Sequence, residues 1–326
     1  MSTRAIRFAR PGGPEVLELR DVEVGEPGPG QVLVRHTAVG VNFIDTYHRS
    51  GLYPVPSLPS GLGTEAAGVI EALGEGVSDL SVGQRVAYAT GPLGAYAERR
   101  VLPADRLVPL PDSISDETAA AALLKGMTVE YLIRRTYPVR AGDTVLWHAA
   151  AGGVGLIAVQ WLAHLGATVI GTVSSDEKAE LARAHGCHHT IVYTRENFVE
   201  RVREITGGAM VPVVYDSVGR ATFPASLDCL RPRGTFVGFG NASGKPEPFD
   251  MQILSLKGSL YLTRPNLFTY TASRAELLES ARALFAVIES GAVKIEVRQR
   301  FPLAQAADAH RALESRATTG STVLLP

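Results

Sequence analysis

The stretch TVLWHAAAGGVGLIAVQWLAHLGA, from Thr144 to Ala167, sets a cluster of very small residues between two apolar runs. Ala149, Ala150, Ala151, Gly152, Gly153 and Gly155 add almost nothing to a core, and glycine raises the entropy cost of ordering the backbone. A chain that accepts this between two buried segments needs something to come close to its main chain. The first run reads as a short strand and the second as a helix, so the cluster is a strand-to-helix turn.

The same alternation recurs downstream. ATVIGTVSS leads into DEKAELARAHG, HHTIVY into ENFVERVREITGG, and VPVVYDSV into TFPASLDCLR, before GTFVGFG and GSLYLTR. Gly166, Gly186 and Gly207 stand where left-handed C-terminal caps would end the helices. Continuous Val, Ile and Tyr strands alternating with helices predict a parallel sheet covered on both faces. Six strands make a full doubly wound domain.

The first hundred residues follow another rhythm. EVLELRDVEV, GQVLVRHTAVGVN, AAGVIEALG, GQRVAYA and GAYAERRVL are short segments broken by Gly and Pro, with no long amphipathic helix among them. They predict a partly open barrel or sandwich. After Arg264 come a helix opened by a Ser273/Glu276 capping box, a second helix, and the strand STVLLP. These pieces are too few for a third domain and predict a return to the first. The expected fold is α/β, with a β-rich domain at 1–125 and 266–326, a six-stranded doubly wound domain at 126–265, and a cleft between them. With 326 residues and 45% apolar content, two domains are also what the length suggests.

A turn of small residues between the first parallel strand and its helix is where a dinucleotide pyrophosphate sits on backbone N–H groups. Ala150, Gly152 and Gly155 occupy the three positions of a G-x-G-x-x-G fingerprint, with alanine first. A side chain at Gly152 would stand in the path of the pyrophosphate, and one at Gly155 would push the helix off the sheet. The reading therefore gives Ala151, Gly152, Gly153, Val154 and Gly155 to a cofactor. Folds selective for NAD end the second strand in an acid that holds the ribose 2′-hydroxyl. Here the sequence is GTVSSDEK, with Ser174 and Ser175 in that place, Lys178 one turn on, and Tyr193 ending the third strand. A hydroxyl, an ammonium and a phenol suit a 2′-phosphate; a serine helix cap beside a solvated lysine is the plainer alternative.

The segments GLGTEAAGVIEALGEGV, HAAAGGVG, VVYDSVG, FGNASG, KGSLYLTRP and ESRATTGSTVLLP together resemble the NADPH:quinone oxidoreductase family. This is the zeta-crystallin-like, zinc-free branch of the medium-chain dehydrogenase/reductase superfamily. The resemblance runs nearly end to end. It implies a GroES-like catalytic domain, a Rossmann domain, NADPH and a homodimer. It further implies that Asn42, Asp45, Tyr47 and Tyr53 form the catalytic surface. Asn42, Thr128, Ser217, Phe239, Gly240, Asn241 and Arg264 would contact the cofactor, and Arg316 would join Lys178 and Tyr193 at the 2′-phosphate. Zinc-dependent members carry Cys where this chain has Asn42 and His where it has Thr64, and their four structural cysteines have no counterpart here. Tetrahedral zinc needs thiolates and imidazoles, so no metal is expected. The cluster HGCHH, His185 to His189, straddles a helix end and a strand start without a second ligand pair and reads as a turn. His148, a single histidine on a strand, reads as core.

The expected chemistry asks little of side chains. The cofactor carries the hard step, and the protein orients two planar rings and hydrogen-bonds the quinone oxygen that turns negative. Reduction of activated carbon–carbon double bonds is the alternative with the same cofactor. RNA binding, known in the wider branch, gains nothing from a net charge of −1. Two distant cysteines, no apolar leader and no 18-residue apolar run predict a cytoplasmic location. KGSLYLTR reads as an exposed edge strand, and Ser259 to Thr263 is expected to pair with its two-fold mate in a homodimer.

Overall fold

A computed structural model describes residues 1–316 and 318–326 and divides the chain into two compact units. The first comprises Met1–Met127, Thr271–Glu289 and Ile295–Pro326; the second comprises Thr128–Tyr270 and Ser290–Lys294.

The second unit holds six parallel strands. Across the sheet they run His189–Val192, Thr168–Val173, Thr144–Trp147, Val211–Asp216, Leu230–Gly238, Tyr261–Thr263. In chain order this is 3-2-1-4-5-6, the doubly wound arrangement, whose crevice opens where the order reverses between the first and fourth strands. Strand Val211–Asp216 is buried throughout, as a strand covered on both faces must be. Gly166, Gly186 and Gly207 all have positive φ, and each ends a helix or follows its last turn. One segment departs from the expected rhythm. TFPASLDCLR forms only a 3-10 turn, Ala225–Cys229, and Pro224 immediately before it has no N–H to extend a helix backward.

The first unit packs a seven-stranded sheet with a three-stranded one. The last strand, Ser321–Leu325, pairs antiparallel with Gln31–Val41 and parallel with Val297–Pro302, so the C-terminal segment completes a sheet begun near the N-terminus. Ile6, Phe8, Val32, Val34, Leu62, Tyr88 and Tyr96 are buried in its core. Ser273 and Glu276 form the expected capping box: the Glu276 N–H donates to Ser273 Oγ (3.2 Å) and the Ser273 N–H to Glu276 Oε2 (3.2 Å). An eight-residue helix, Phe43–Ser50, interrupts the strands. Asn42 caps it and Gly51, at φ +81°, ends it.

Candidate active site

In the second unit the small-residue turn lies between strand Thr144–Trp147 and helix Gly153–His164, with Gly152 as N-cap. The first helical bond is that of Leu156 N–H to Gly152 O (2.8 Å), so the N–H groups of Gly153, Val154 and Gly155 precede the ladder and stay available to an anion. The two glycines of the fingerprint differ in what surrounds them. A Cβ on Gly155 would come within 2.3 Å of Ala149 O and 2.6 Å of the Ala150 carbonyl, so packing demands glycine there. A Cβ on Gly152 would meet only Ala149 O, at 3.4 Å. The protein leaves that side open, and a phosphate group fits the cradle.

The ends of the second and third strands lie together. Tyr193 N–H donates to Val173 O (3.1 Å) and Thr194 Oγ1 to Ser174 O (3.2 Å). Ser175 Oγ accepts the Lys178 N–H (3.3 Å), so the helix-cap reading holds for Ser175 while Ser174 stays beside it. Asp176, the nearest acid, is paired with Arg195. Tyr193 is 40% exposed.

The loops after the fourth and fifth strands are locked to each other. Asp216 Oδ1 accepts the N–H groups of Val218 (2.6 Å) and Gly219 (3.1 Å), and Oδ2 accepts the Thr222 hydroxyl (2.6 Å). Phe239 N–H reaches Asp216 O (2.7 Å), and a Cβ on Gly240 would strike Ser217 O at 2.4 Å. Arg264 donates to Gly238 O (3.1 Å). Ser217, Phe239, Gly240, Asn241 and Arg264 therefore gather at the carboxyl ends of these strands, where such sheets bind ligands. Thr128, buried, sits on helix Asp116–Tyr131.

His148 is fully buried between Thr172 Oγ1 and Ser226 Oγ, each at 2.9 Å, as a core residue is. In HGCHH, His185 Nδ1 donates to Leu181 O, His188 Nδ1 accepts the Val169 N–H, and the buried Cys187 thiol faces His189 O. Burial pushes that thiol up to about 12, so it stays protonated. Among the described residues no group of three His, Cys, Asp or Glu is placed to hold a metal ion.

In the first unit, Asn42 Nδ2 donates to Glu65 Oε2 (2.7 Å), and Thr64 offers only a buried hydroxyl. An amide already bound to a carboxylate, beside a hydroxyl, does not fit zinc. Tyr47 is 8% exposed and meets Tyr53 edge-on at 5.1 Å between ring centroids, while Tyr53 N–H donates to Tyr47 O (3.0 Å). Asp45, expected on the catalytic surface, has no exposed surface in this structure. Its Oδ2 accepts the Asn42 N–H (2.8 Å) and the Tyr96 hydroxyl (3.0 Å), and burial pushes its carboxyl up to about 7. Asp45 thus holds the start of the helix that presents Asn42 and Tyr47. Arg316 is exposed just past helix Ala306–Glu314, at φ +59°.

Two charged residues that the sequence reading passed over meet here. Glu65, with no exposed surface, receives the Asn42 amide and the Leu124 N–H (2.6 Å), and Lys125 Nζ lies 3.6 Å from its Oε2. Their signal was an isolated acid in GTEAAG and an isolated lysine in AALLKGM.

A buried histidine extends the network behind Asp45. Arg49 Nη1 lies 3.0 Å from His310 Nδ1 and can only donate, so His310 carries its proton on Nε2 and gives it to Tyr96 (3.0 Å). Burial, with help from Arg49, pushes His310 down from its ordinary 6.5 to about 3. The unfolded chain therefore takes up that proton first. The stabilisation is complete above pH 6.5 and is lost toward pH 3, at about 1.4 kcal/mol per pH unit. His310→Gln, which keeps one acceptor and one donor, is expected to reduce the measured slope by that amount, leaving the share of His36, which burial also pushes down to about 3. Urea unfolding at intervals between pH 7 and 4 measures it, and an unchanged slope would assign the acid sensitivity elsewhere.

Comparisons with known proteins follow this geometry. Residues 28–112 match the family described as alcohol dehydrogenase GroES-like domain, and residues 153–276 match that described as zinc-binding dehydrogenase. The chain is 59% identical to the quinone oxidoreductase of Pseudomonas aeruginosa over 323 residues, covering 99% of each chain. It is 51% identical to the 2-haloacrylate reductase of a Burkholderia species, covering 97% of this chain and 96% of the other. The crystal structure of Escherichia coli quinone oxidoreductase complexed with NADPH superposes with a TM-score of 0.98 at 51% identity, covering 99% of this chain and 100% of the other.

Proposed function

Because the chain belongs to the quinone oxidoreductases, the zinc-free branch of the medium-chain dehydrogenases and reductases, we propose that it is an enzyme passing reducing equivalents from NADPH to quinones. The observation that carries this reading is the second unit's strand-to-helix turn. It is open to a phosphate at Gly152, and no acid ends the neighbouring strand. NADPH, when bound, supplies two electrons and one hydrogen.

The chain's own residues have three tasks. The N–H groups of Gly153, Val154 and Gly155 take the pyrophosphate, with Ala151 and Gly152 leaving room for it. Ser174, Lys178, Tyr193 and Arg316 take the 2′-phosphate, and Thr128, Ser217, Phe239, Gly240, Asn241 and Arg264 border the remainder. Asn42, Tyr47 and Tyr53 receive the quinone, and Asp45 keeps Asn42 in place.

The test is NADPH and NADH oxidation across a panel of 1,2- and 1,4-quinones, alkenals and 2-haloacrylate. Quinones with NADPH are expected to lead, with NADPH favoured over NADH by about 10²–10³-fold through charge-assisted contacts of roughly 1–2 kcal/mol each. Lys178→Ala and Arg316→Ala are expected to erode that preference while sparing NADH, Arg316 more because a guanidinium grips two oxygens. Equal losses with both cofactors would remove the 2′-phosphate assignment. The likeness to 2-haloacrylate reductase supports activated alkenes as the second substrate class, and faster turnover of them than of quinones would make that reading primary.

The working form we propose is a homodimer in the cytoplasm. Strand Tyr261–Thr263 is one edge of the six-stranded sheet, with Tyr261 63% and Leu262 39% exposed, and Ser259 to Thr263 would pair with a second copy. Sedimentation at micromolar concentration should give twice the 34.7 kDa chain mass, and a monomer would exclude this pairing. The two cysteines, buried and unpaired, suit a reducing compartment.

A further inference from the structure

Helix Asp116–Tyr131 carries one buried cation. Ala119, Ala120, Ala121, Ala122, Leu123 and Met127 around it are all buried and apolar, and Lys125 itself is only 5% exposed. Among the described residues its ammonium has no hydrogen-bond partner within 3.5 Å. Glu65 is the nearest opposite charge, but at 3.6 Å the contact is an ion pair without a hydrogen bond. The carboxylate is already engaged by the Asn42 amide at 2.7 Å and the Leu124 N–H at 2.6 Å. A lysine serving only as counter-ion would close to the usual charge-assisted distance of about 2.7–2.9 Å. A desolvated cation held beyond the usual hydrogen-bond distance of its counter-ion is costly, and it is kept beside Asn42, one of the residues assigned to the quinone.

We propose that Lys125 is a further catalytic residue, its ammonium donating to the quinone oxygen that becomes negative during reduction. The proposal rests on the reading of the chain as an NADPH:quinone oxidoreductase. Two electrons and one hydrogen pass from NADPH to the quinone, leaving NADP⁺ and a quinol with one anionic oxygen. That oxygen then takes a proton from solvent, and Lys125 contributes a hydrogen bond and transfers no proton. A cation already fixed in a site shielded from water stabilises such a charge more than a solvated one, because nothing has to reorient as the charge appears. Glu65 and Asp45 are the acids near Lys125: Glu65 anchors Asn42 and keeps the ammonium in place, and Asp45 is turned toward Tyr96.

The test separates this role from that of a counter-ion. Lys125→Met alone strands Glu65, so Glu65→Gln/Lys125→Met, which removes both charges, is the informative variant. With 1,4-benzoquinone its kcat is expected to fall by about 10²-fold or more, with thermal stability and NADPH affinity close to wild type. A spectroscopic reading needs no turnover. 4-Nitrophenol bound to the enzyme with NADP⁺ mimics the anionic quinol, and its phenolate band should appear at least about one pH unit lower than in free solution. Lys125→Arg should retain that shift and the double variant should lose it. A double variant with wild-type kcat, or one that still shifts nitrophenol, overturns the assignment. A wild type that reduces no quinone overturns the parent reading and this assignment with it.

Discussion

Gly155→Val is expected to weaken NADPH binding by more than about 100-fold and to lower thermal stability, whereas Gly152→Ala should weaken binding with the fold intact. The two glycines sit three residues apart in one turn, and the geometry gives them different reasons to be glycine. At Gly155 every atom a Cβ would strike belongs to the backbone of the same turn: Ala149 O at 2.3 Å, and Ala150 C and O at 2.6 Å. No rotamer can relieve such contacts. The helix start must move off the strand end, at a cost of several kcal/mol, carrying with it the N–H groups meant for the pyrophosphate. At Gly152 the single neighbour is at 3.4 Å, an ordinary contact, so the protein alone tolerates a methyl group. Thermal melting and fluorescence titration with NADPH, run on both variants, separate packing from ligand approach. If Gly152→Ala binds NADPH like the wild type, the pyrophosphate does not pass over this turn.

That distinction marks how far the sequence could be read. The parallel sheet was legible because each strand is a continuous apolar run, each helix has its own period, and glycines punctuate them where left-handed caps occur. Local pattern also placed His148 in the core, from its place in an apolar strand, and HGCHH in a turn, from its place between a helix end and a strand start. The other half of the candidate site was legible only through resemblance, and resemblance does not say how Asp45 is held. Its position in VNFIDTY suggests a residue facing substrate, but three residues after an N-cap a carboxylate can instead turn back onto the cap N–H, and here it does. Helix Phe43–Ser50 is too short to show a period. The partners that define its surroundings are distant in sequence: Glu65 from Lys125, Tyr96 from His310, Arg49 from Glu314. No periodicity encodes such pairs, and only an isolated charge in an apolar run hints that one exists.

The last of these pairs predicts an asymmetry. Glu314→Ala is expected to destabilise the protein by about 3–5 kcal/mol, while Arg49→Met, which deletes the opposite partner, should cost only about 1–2 kcal/mol. Arg49 is the deeper side chain, 2% exposed against 37% for Glu314. Its guanidinium reaches both carboxylate oxygens, at 2.6 and 3.0 Å, and also donates to Gly12 O and His310 Nδ1. Without Glu314 a buried cation keeps two neutral acceptors and loses its only charged one. Without Arg49, Glu314 turns into water and methionine fills much of the vacated space. The double variant should then match Arg49→Met alone and be more stable than Glu314→Ala, so that a second substitution rescues the first. Urea unfolding of the three variants at pH 7.5 gives the comparison. Equal losses in the two single variants would mean that the pair acts as a surface ion pair, and that Arg49 does not depend on Glu314 to remain buried behind the helix that carries Asn42 and Tyr47.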